Sequence, residues 1–410
     1  MPTKTMRPLG VSWSLAFPCL LVTVCLSTGG AVSQGVGPNE QAEAVRIARL
    51  ENDLRPIDER GEDISPRHSI TERMKTLGVP GLSVTVFDGG KIIWSRGYGV
   101  RDRAAGDPVN ERTLFQAASI SKPVTSTALF RLIEKGDLAL DEDVNLRLRS
   151  WKLPDSEFTK IEKVTPRRIV SHMAGLTVHG FAGYVAGGPL PTVPQILDGL
   201  PPANSPPVRV TAPPGARESY SGGGFTVLQL LMQDVTGRPF SDLLDDLVLL
   251  PLNMTRSTFA QPLPRQLADA AATGYQADGT PVSGRFHIYP ELAAAGLWTT
   301  PSDLAGFMLA IGRSFRGEAG SFLRQDTATL MLTKIPDAGG LGFGISGEGR
   351  ARRYRHNGGN AGFTCYAVAF TDTGRGVVLM TNADGGDRLM REFARAISRE
   401  YGWPYMWVRE

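Results

Sequence analysis

Hydrophobic and polar positions follow two different periods, and the two periods occupy different parts of the chain. Apolar residues alternate or run together over 82–87 and 91–97, on either side of the turn Asp88-Gly89-Gly90, which is typical of a β-hairpin. Strand-like patterns return near the C-terminus, over 353–357, 362–371 and 375–381. The pattern therefore predicts strands at both ends of the chain.

Helical periodicity dominates the rest. Ser65-Pro66 offers a cap and a first-turn proline for a helix to Leu77, and 115–134 is typical of one amphipathic helix stopped by Gly136. A capped start at Thr300-Pro301-Ser302-Asp303 predicts a helix through Ile311, and a closing helix is expected over 387–401. Shorter helical pieces are predicted at 166–173, 193–200, 225–235 and 240–250.

This order predicts an α/β (α+β) fold. An antiparallel sheet would be built from the N- and C-terminal strands and flanked by helices. A mainly helical lobe would be inserted at about 142–290, where Pro and Gly are more frequent.

The first residues indicate export. Residues 1–33 combine a basic start (Lys4, Arg7), an apolar stretch over 9–26 and the small-x-small sequence Ala31-Val32-Ser33. We interpret them as a signal peptide cleaved before Gln34, so we expect a secreted or periplasmic bacterial protein with no stable membrane span after cleavage. The alternative is an uncleaved membrane anchor. A linker and leading helix would occupy 34–60, and one catalytic domain 61–405.

Composition narrows the classes of function. The chain has 410 residues, of which 41% are hydrophobic and 21% charged, which allows a sizeable core and excludes wholesale disorder. Without the leader, 42 basic residues face 41 acidic ones and no Lys/Arg cluster stands out, which argues against a nucleic-acid partner. Two of the three cysteines lie in the leader, and only five histidines occur. We therefore expect no disulfide framework, no metal and no cofactor.

The strongest chemical signal is Ser119-Ile120-Ser121-Lys122 at the start of a predicted helix. A spacing of three places Ser119 and Lys122 on one helix face, where a buried amine can accept the proton of the serine hydroxyl. Backbone N–H groups at the helix start favour a developing oxyanion. The alternative is a solvent-facing helix start with lysine as a surface charge.

Two further segments carry candidate groups. Tyr220 lies between a Pro/Gly turn and Gly222-Gly223-Gly224, where its phenol could relay a proton. His356-Asn357-Gly358-Gly359 follows a predicted strand, and its glycines allow close backbone approach to a ligand. Taken alone, the tyrosine could equally be a packing residue, and a lone histidine is more often structural.

In this order the three segments resemble the serine β-lactamase and penicillin-binding-protein superfamily. The resemblance covers roughly 68–400 and is greatest for the class C-type branch, with family VIII carboxylesterases, D-alanyl-D-alanine carboxypeptidases and D-aminopeptidases. It includes the segments 169–176 and 295–304, and Phe363 with the closing strands.

The resemblance implies a role for each residue. Ser119 would be the acylated nucleophile, Lys122 its proton acceptor, Tyr220 a proton relay, and His356 the group that orients the substrate carboxylate or the tyrosine. The oxyanion hole would use the backbone N–H of Ser119 and of Gly359, beside Gly358, with Asn357 and Gly222 also at the substrate. By the same resemblance His172 is structural and Cys365 a buried strand residue without a role.

Two departures from the family pattern bear on the substrate. The last motif is His356-Asn357-Gly358 instead of Lys-Thr-Gly, and Tyr-x-Asn is replaced by Tyr220-Ser221-Gly222. Both changes weaken the grip on a carboxylate-bearing acylamido lactam and leave acyl transfer untouched. The expected function is an exported serine hydrolase of small esters or peptide-like amides. The alternatives are a class C-like β-lactamase and a non-catalytic receptor for penicillin or peptidoglycan.

Overall fold

The computed structural model describes residues 38–58, 62–64 and 66–407. The chain divides into two units, 1–44 and 45–410. In the first unit the described residues form the beginning of helix α1 (Pro38–Leu50). The signal peptide predicted over 1–33 lies outside the described residues.

The second unit is built on an antiparallel sheet of seven strands in the order β3-β2-β1-β9-β8-β7-β6. Two further short strands, β4 and β5, pair with each other. The strands are β1 (Gly81–Asp88), β2 (Lys91–Asp102), β3 (Asp107–Pro108), β4 (Phe115–Gln116), β5 (Trp298–Thr299), β6 (Gly344–Ser346), β7 (Arg353–Asn360), β8 (Phe363–Phe370) and β9 (Gly376–Thr381). The pairing of β1 with β9 joins the N-terminal hairpin to the C-terminal strands, as the sequence predicts.

Twelve α-helices follow α1 in the described chain, in addition to short 3₁₀ and π-helical turns. They are α2 (Ile70–Thr76), α3 (Ser121–Lys135), α4 (Val144–Arg147), α5 (Pro166–Val170), α6 (Val193–Asp198), α7 (Gly222–Thr236), α8 (Phe240–Leu244), α9 (Arg265–Ala268), α10 (Leu292–Ala295), α11 (Pro301–Arg316), α12 (Gln325–Leu332) and α13 (Gly386–Tyr401). Helices α4 to α9 lie in the segment between the two groups of strands.

Each face of the sheet is covered by its own hydrophobic core. On one face, residues of α2 and α13 such as Met74 and Phe393 pack against Val84 and Leu379 of the sheet. On the other face, a larger core includes residues of α3, α7 and α11 together with Phe87 and Val378. The strands β1, β8 and β9 are almost wholly buried because both of their faces are covered.

The helix predicted over 115–134 is the main local error. Phe115 and Gln116 are extended in β4, where they pair with Thr299 and Trp298, and Ala118 has a φ of 48°. Regular helix begins only at Ser121. Tertiary pairing with a segment far along the chain overrides the local helical pattern.

Other boundaries also differ from the sequence prediction. Helix α2 begins at Ile70 because Ser69 and Glu72 form a capping box, whereas Leu54 and His68 form a β-bridge that keeps residue 68 extended. Strand β7 continues through the glycines to Asn360 instead of ending before them. Strand β6 and helix α12 were not predicted, because their sequences show no clear hydrophobic periodicity.

Candidate active site

A sharp turn presents Ser119 between strand β4 and helix α3. Ala118 adopts a left-handed backbone with a φ of 48°, and residues 118–120 form a short 3₁₀ turn. The hydroxyl of Ser121 accepts a hydrogen bond from Leu297 N–H at 3.0 Å and donates one to the carbonyl of Ala118 at 2.6 Å. The hydroxyl of Ser121 therefore stabilises the turn by linking Ala118 to Leu297. Ser119 itself is partly exposed.

Lys122 lies one helical turn from Ser119 and is 2% exposed. Its Nζ donates to Ser119 Oγ at 3.0 Å and to the carbonyl of Ala294 in α10 at 2.8 Å. Within the described chain it forms no ion pair with a carboxylate. Burial therefore disfavours the ammonium and lowers the pKa of Lys122 to about 7. An amine of that pKa can both accept and release a proton near neutral pH.

Tyr220 lies beside Lys122 and Ser119. Lys122 Nζ is 4.9 Å from the centre of its ring, and Ser119 is near enough to its hydroxyl to affect its pKa. Burial raises the pKa of Tyr220 to about 12, and its interaction with Ser119 opposes that rise. The phenol is therefore protonated at neutral pH and can donate to a departing group.

Strand β7 passes directly against the Ser119 turn. A Cβ atom at Gly358 would lie 2.3 Å from the carbonyl oxygen of Ala117 and 3.0 Å from the backbone nitrogen of Ser119. Any side chain there would push the strand away, so glycine is required for this approach. Gly359 follows on the same strand and is exposed, with no atom within 4 Å of where its Cβ would stand.

His356 precedes these glycines on β7. Its Nδ1 is 2.6 Å from the carbonyl oxygen of Asn357, and its ring centre is 6.5 Å from that of Tyr220. Burial, with the nearby Lys122, lowers the pKa of His356 to about 3. The imidazole is therefore neutral at physiological pH. Asn357 is exposed beside it.

Gly222 begins helix α7, and the space beside it is taken. A Cβ there would lie 3.0 Å from the carbonyl oxygen of His179 and 3.1 Å from the ring of Phe181. The loop that carries these two residues thus passes where an amide side chain would project. The site has no group at this position to hold an acylamino substituent.

A cavity of about 370 Å³ opens beside Tyr220 and His356. Its wall carries charges of both signs, from Lys334 and Arg355 and from Glu218 and Asp337. Asn357 and a glycine-rich segment, 339–344, complete much of the lining. A cavity of this size holds a small organic group.

Two histidines near Tyr220 were not expected at the site. The ring centre of His172 is 4.2 Å from that of Tyr220, and the ring centre of His179 is 4.8 Å from it. The sequence interpretation treated His172 as structural and assigned nothing to His179. Both histidines precede Tyr220 by more than 40 positions in the sequence, so no local pattern indicates that they contact it.

Cys365 lies in β8 and is buried, with its Sγ 2.9 Å from the carbonyl oxygen of Ala117. Burial raises the pKa of its thiol well above its usual range, so it is not a nucleophile at neutral pH. Among the described residues no group of three or more His, Cys, Asp or Glu side chains is arranged to hold a metal ion. No helix in the described part of the chain is both long and apolar enough to cross a membrane.

A serine and a buried lysine one turn apart, beside an antiparallel sheet with helices on both faces, are the arrangement expected of the β-lactamase fold. Comparison with known proteins gives the particular family. The chain belongs to the Beta-lactamase family, whose model matches residues 67–399. The superfamily and fold predicted from the sequence are thereby confirmed.

Individual relatives are more distant. Esterase EstB of Burkholderia gladioli is 30% identical over 191 residues, which cover 44% of this chain and 47% of that esterase. The matched regions span less than half the length of several curated relatives, EstB among them.

Solved structures share the fold at low identity. The D-amino acid amidase from Ochrobactrum anthropi SV3 has a TM-score of 0.65 at 22% identity, over 81% of this chain and 97% of that one. The octameric penicillin-binding protein homologue from Pyrococcus abyssi has a TM-score of 0.64 at 23% identity, over 82% of this chain and 76% of that one.

Proposed function

We propose that this protein is an exported serine hydrolase that cleaves small esters or peptide-like amides through an acyl-enzyme on Ser119. The observation that carries the proposal is the buried Lys122, whose Nζ lies 3.0 Å from Ser119 Oγ and whose pKa is lowered to about 7. Export rests on the leader sequence, and the substrate class on the residues around the serine.

The proposed first step forms the acyl-enzyme. Ser119 Oγ attacks the carbonyl carbon of the substrate while its proton passes to the neutral amine of Lys122. The carbonyl oxygen becomes an oxyanion that accepts hydrogen bonds from the backbone N–H groups of Ser119 and Gly359. When the intermediate collapses, the bond to the alcohol or amine breaks. Tyr220 donates its phenolic proton to the leaving group and regains a proton from Lys122.

In the second step a water molecule takes the place of the leaving group. Lys122 accepts a proton from the water through Tyr220, the hydroxide attacks the acyl carbon, and the bond to Ser119 Oγ breaks. The proton held by Lys122 returns to Ser119. The acid is released and the enzyme is restored.

Two features support esters or simple amides over lactams. The neutral His356 gives no cation for a substrate carboxylate, and the space at Gly222 is filled by the loop of His179 and Phe181. EstB is an esterase by name and the structure from Ochrobactrum anthropi is a D-amino acid amidase, which agrees with this substrate range. An activated ester of a short acid needs only the serine, the lysine and the oxyanion hole.

A substrate panel tests the proposal. We expect hydrolysis of p-nitrophenyl acetate or butyrate, slow or absent turnover of nitrocefin and penicillin, and stoichiometric labelling by a fluorophosphonate in intact-mass spectra. Ser119→Ala should abolish both activities. The matched control is Ser126→Ala in helix α3, which follows the Ser119 turn. Ser126 is a buried serine whose hydroxyl has no hydrogen-bond partner in the described chain, and this variant should retain both activities.

Two results would contradict the proposal. Labelling of Ser119→Ala would mean that another residue is the nucleophile. Efficient nitrocefin hydrolysis with no ester hydrolysis would favour the β-lactamase alternative, and reversible ligand binding with no adduct would favour the receptor.

A further inference from the structure

His172 follows helix α5 and contacts the segment that carries Tyr220. Its backbone is left-handed, with a φ of 59°, which is uncommon for a residue other than glycine. Such a conformation persists only where surrounding contacts impose it. Besides a backbone hydrogen bond to Ile169 and a ring contact with Phe225, with ring centres 5.5 Å apart, the contacts of His172 involve residues 219–221.

Three contacts join His172 to these three consecutive residues. The carbonyl oxygen of His172 accepts a hydrogen bond from the N–H of Ser219 at 2.7 Å. Its ring atom Nδ1 accepts one from the N–H of Ser221 at 3.2 Å. Its ring lies against that of Tyr220, with centres 4.2 Å apart and planes 31° apart. The residues before and after Tyr220 are thus held by the same side chain and backbone that support its ring.

The hydrogen bond from Ser221 determines the form of the imidazole. Because Nδ1 accepts, the ring must be neutral and its proton must be on Nε2. The environment supports that form: burial, followed by the proximity of the basic side chains of Lys122, His356 and His179, lowers the pKa of His172 well below its usual range. A neutral ring next to Lys122 also avoids a second cation beside the amine.

We propose that His172 is a positioning residue for Tyr220, which holds the phenol at Ser119 by fixing residues 219–221 from both sides. The inference deepens the proposed function and depends on it for the catalytic role of Tyr220. The contacts themselves stand independently of any activity. His172 also lines the cavity beside Tyr220, but no contact between His172 and Ser119 is seen in the described chain, so we expect its effect on acylation to pass through Tyr220.

Two substitutions separate the ring from the backbone. His172→Gly removes the ring and Nδ1 and is relaxed at a φ of 59°. His172→Asn places its Oδ1 the same number of bonds from the backbone as Nδ1, so it can still accept from Ser221, and asparagine tolerates a left-handed backbone. We expect His172→Gly to slow acylation by p-nitrophenyl butyrate roughly 10- to 100-fold at nearly unchanged KM, and His172→Asn to recover most of that loss.

A double-mutant cycle with Tyr220→Phe tests whether the effect passes through the tyrosine. In the Tyr220→Phe protein, His172→Gly should change the acylation rate by less than about threefold, because the group that it positions is already absent. If the two losses multiply, His172 acts by some other route and the proposal is wrong. Equal activity of His172→Gly and the unmodified protein would also overturn it.

Hydrogen–deuterium exchange provides a readout that does not require activity. We expect the peptide that contains residues 219–221 to exchange at least tenfold faster in His172→Gly and near the unmodified rate in His172→Asn. Unchanged exchange in His172→Gly would refute the positioning contact. Faster exchange in a protein without any hydrolase activity would retain the contact and refute the proposed function instead.

Discussion

Two of the buried basic side chains in the described chain, Arg73 and Lys122, lie on opposite faces of the sheet and differ in what surrounds them. Arg73 in α2 is 6% exposed and makes two hydrogen bonds of 2.7 Å to the carboxylate of Glu392 in α13. Lys122 in α3 is 2% exposed, and among the residues that the structure describes its hydrogen-bond partners are the hydroxyl of Ser119 and the carbonyl of Ala294. One charge is neutralised by a partner, and the other is not.

The difference separates a structural charge from a reactive one. A bidentate arginine–carboxylate pair gives each buried group a hydrogen-bonded partner of opposite charge and joins helices α2 and α13. A buried amine without a carboxylate can reduce its desolvation cost only by losing its proton. Because Lys122 has no carboxylate partner in the described chain, its amine can be neutral and can accept a proton near neutral pH.

The largest expected effect comes from fixing the charge of Lys122. Lys122→Arg keeps a cation of similar length that cannot accept a proton. The rate of Ser119 labelling by a fluorophosphonate should fall about 1,000-fold, within the range lost with a general base. Lys135→Arg, an exposed position at the end of the same helix, is the control and should label normally. Near-normal labelling of Lys122→Arg would mean that another base operates.

Breaking the ion pair between Arg73 and Glu392 should lower the stability of the fold without changing the reactivity of Ser119. Arg73→Met leaves the carboxylate of Glu392 buried with only Arg388 near it, 3.4 Å away. The free energy of unfolding in urea should fall by about 3 kcal/mol, while the folded fraction labels at the normal rate. Arg73→Met combined with Glu392→Leu should recover most of the loss. A slower labelling rate per folded molecule would show that the two regions are coupled.

The unpaired cation should destabilise the fold, and the effect should depend on pH. Lys122 has an ordinary pKa of 10.5 in the unfolded chain and about 7 in the fold. Between these values the unfolded chain holds a proton that the folded chain lacks, so stability rises with pH over that window and the penalty is complete below pH 7.

Lys122→Met removes this penalty. It should be more stable than the unmodified protein by about 2 kcal/mol at pH 6, with the difference vanishing near pH 10. Urea unfolding of both proteins at the two pH values measures it. A difference that is the same at pH 6 and pH 10 would mean that Lys122 is not neutralised by the fold.

The pH dependence of turnover gives the smallest change. Because only the neutral amine accepts the proton of Ser119, kcat/KM for p-nitrophenyl butyrate should fall about tenfold per pH unit below a midpoint near 7. His356, whose pKa is lowered to about 3, does not contribute to this limb. A midpoint near 4 would point to a carboxylate instead.

The parts of the site that depend on local sequence were predictable, and the parts that depend on distant contacts were not. The three-residue spacing of Ser119 and Lys122 brings them together across the 3₁₀ turn and the first turn of α3, as a helical spacing predicts. The helix was expected from residue 115 because nothing local reveals that Phe115 pairs with Thr299. The neighbours of Tyr220, His172 and His179, belong to a loop that only the tertiary structure brings to it.

The same distinction between local pattern and distant contact decides which strands and helices could be predicted. Strands and helices with clear periodicity, such as β1 and α13, were predicted within a residue or two. Strand β6 has three residues and no alternating pattern, so its place at the sheet edge is set by β7 alone. The space at Gly222 could be foreseen as a missing amide, but not as a position filled by Phe181.

The pairing of β1 with β9 has a consequence for when the sheet can form during synthesis. Leu82 pairs with Thr381, so β1 cannot pair with β9, the central strand of the sheet, until almost 300 more residues have been made. Strand β7, which passes against the Ser119 turn, also comes from the last sixth of the chain. Long-range pairing of this kind is slow and cannot start before the late strands exist. On the proposed function, a nascent chain that already carries Ser119 should therefore be unreactive until strands β7, β8 and β9 have been made and paired.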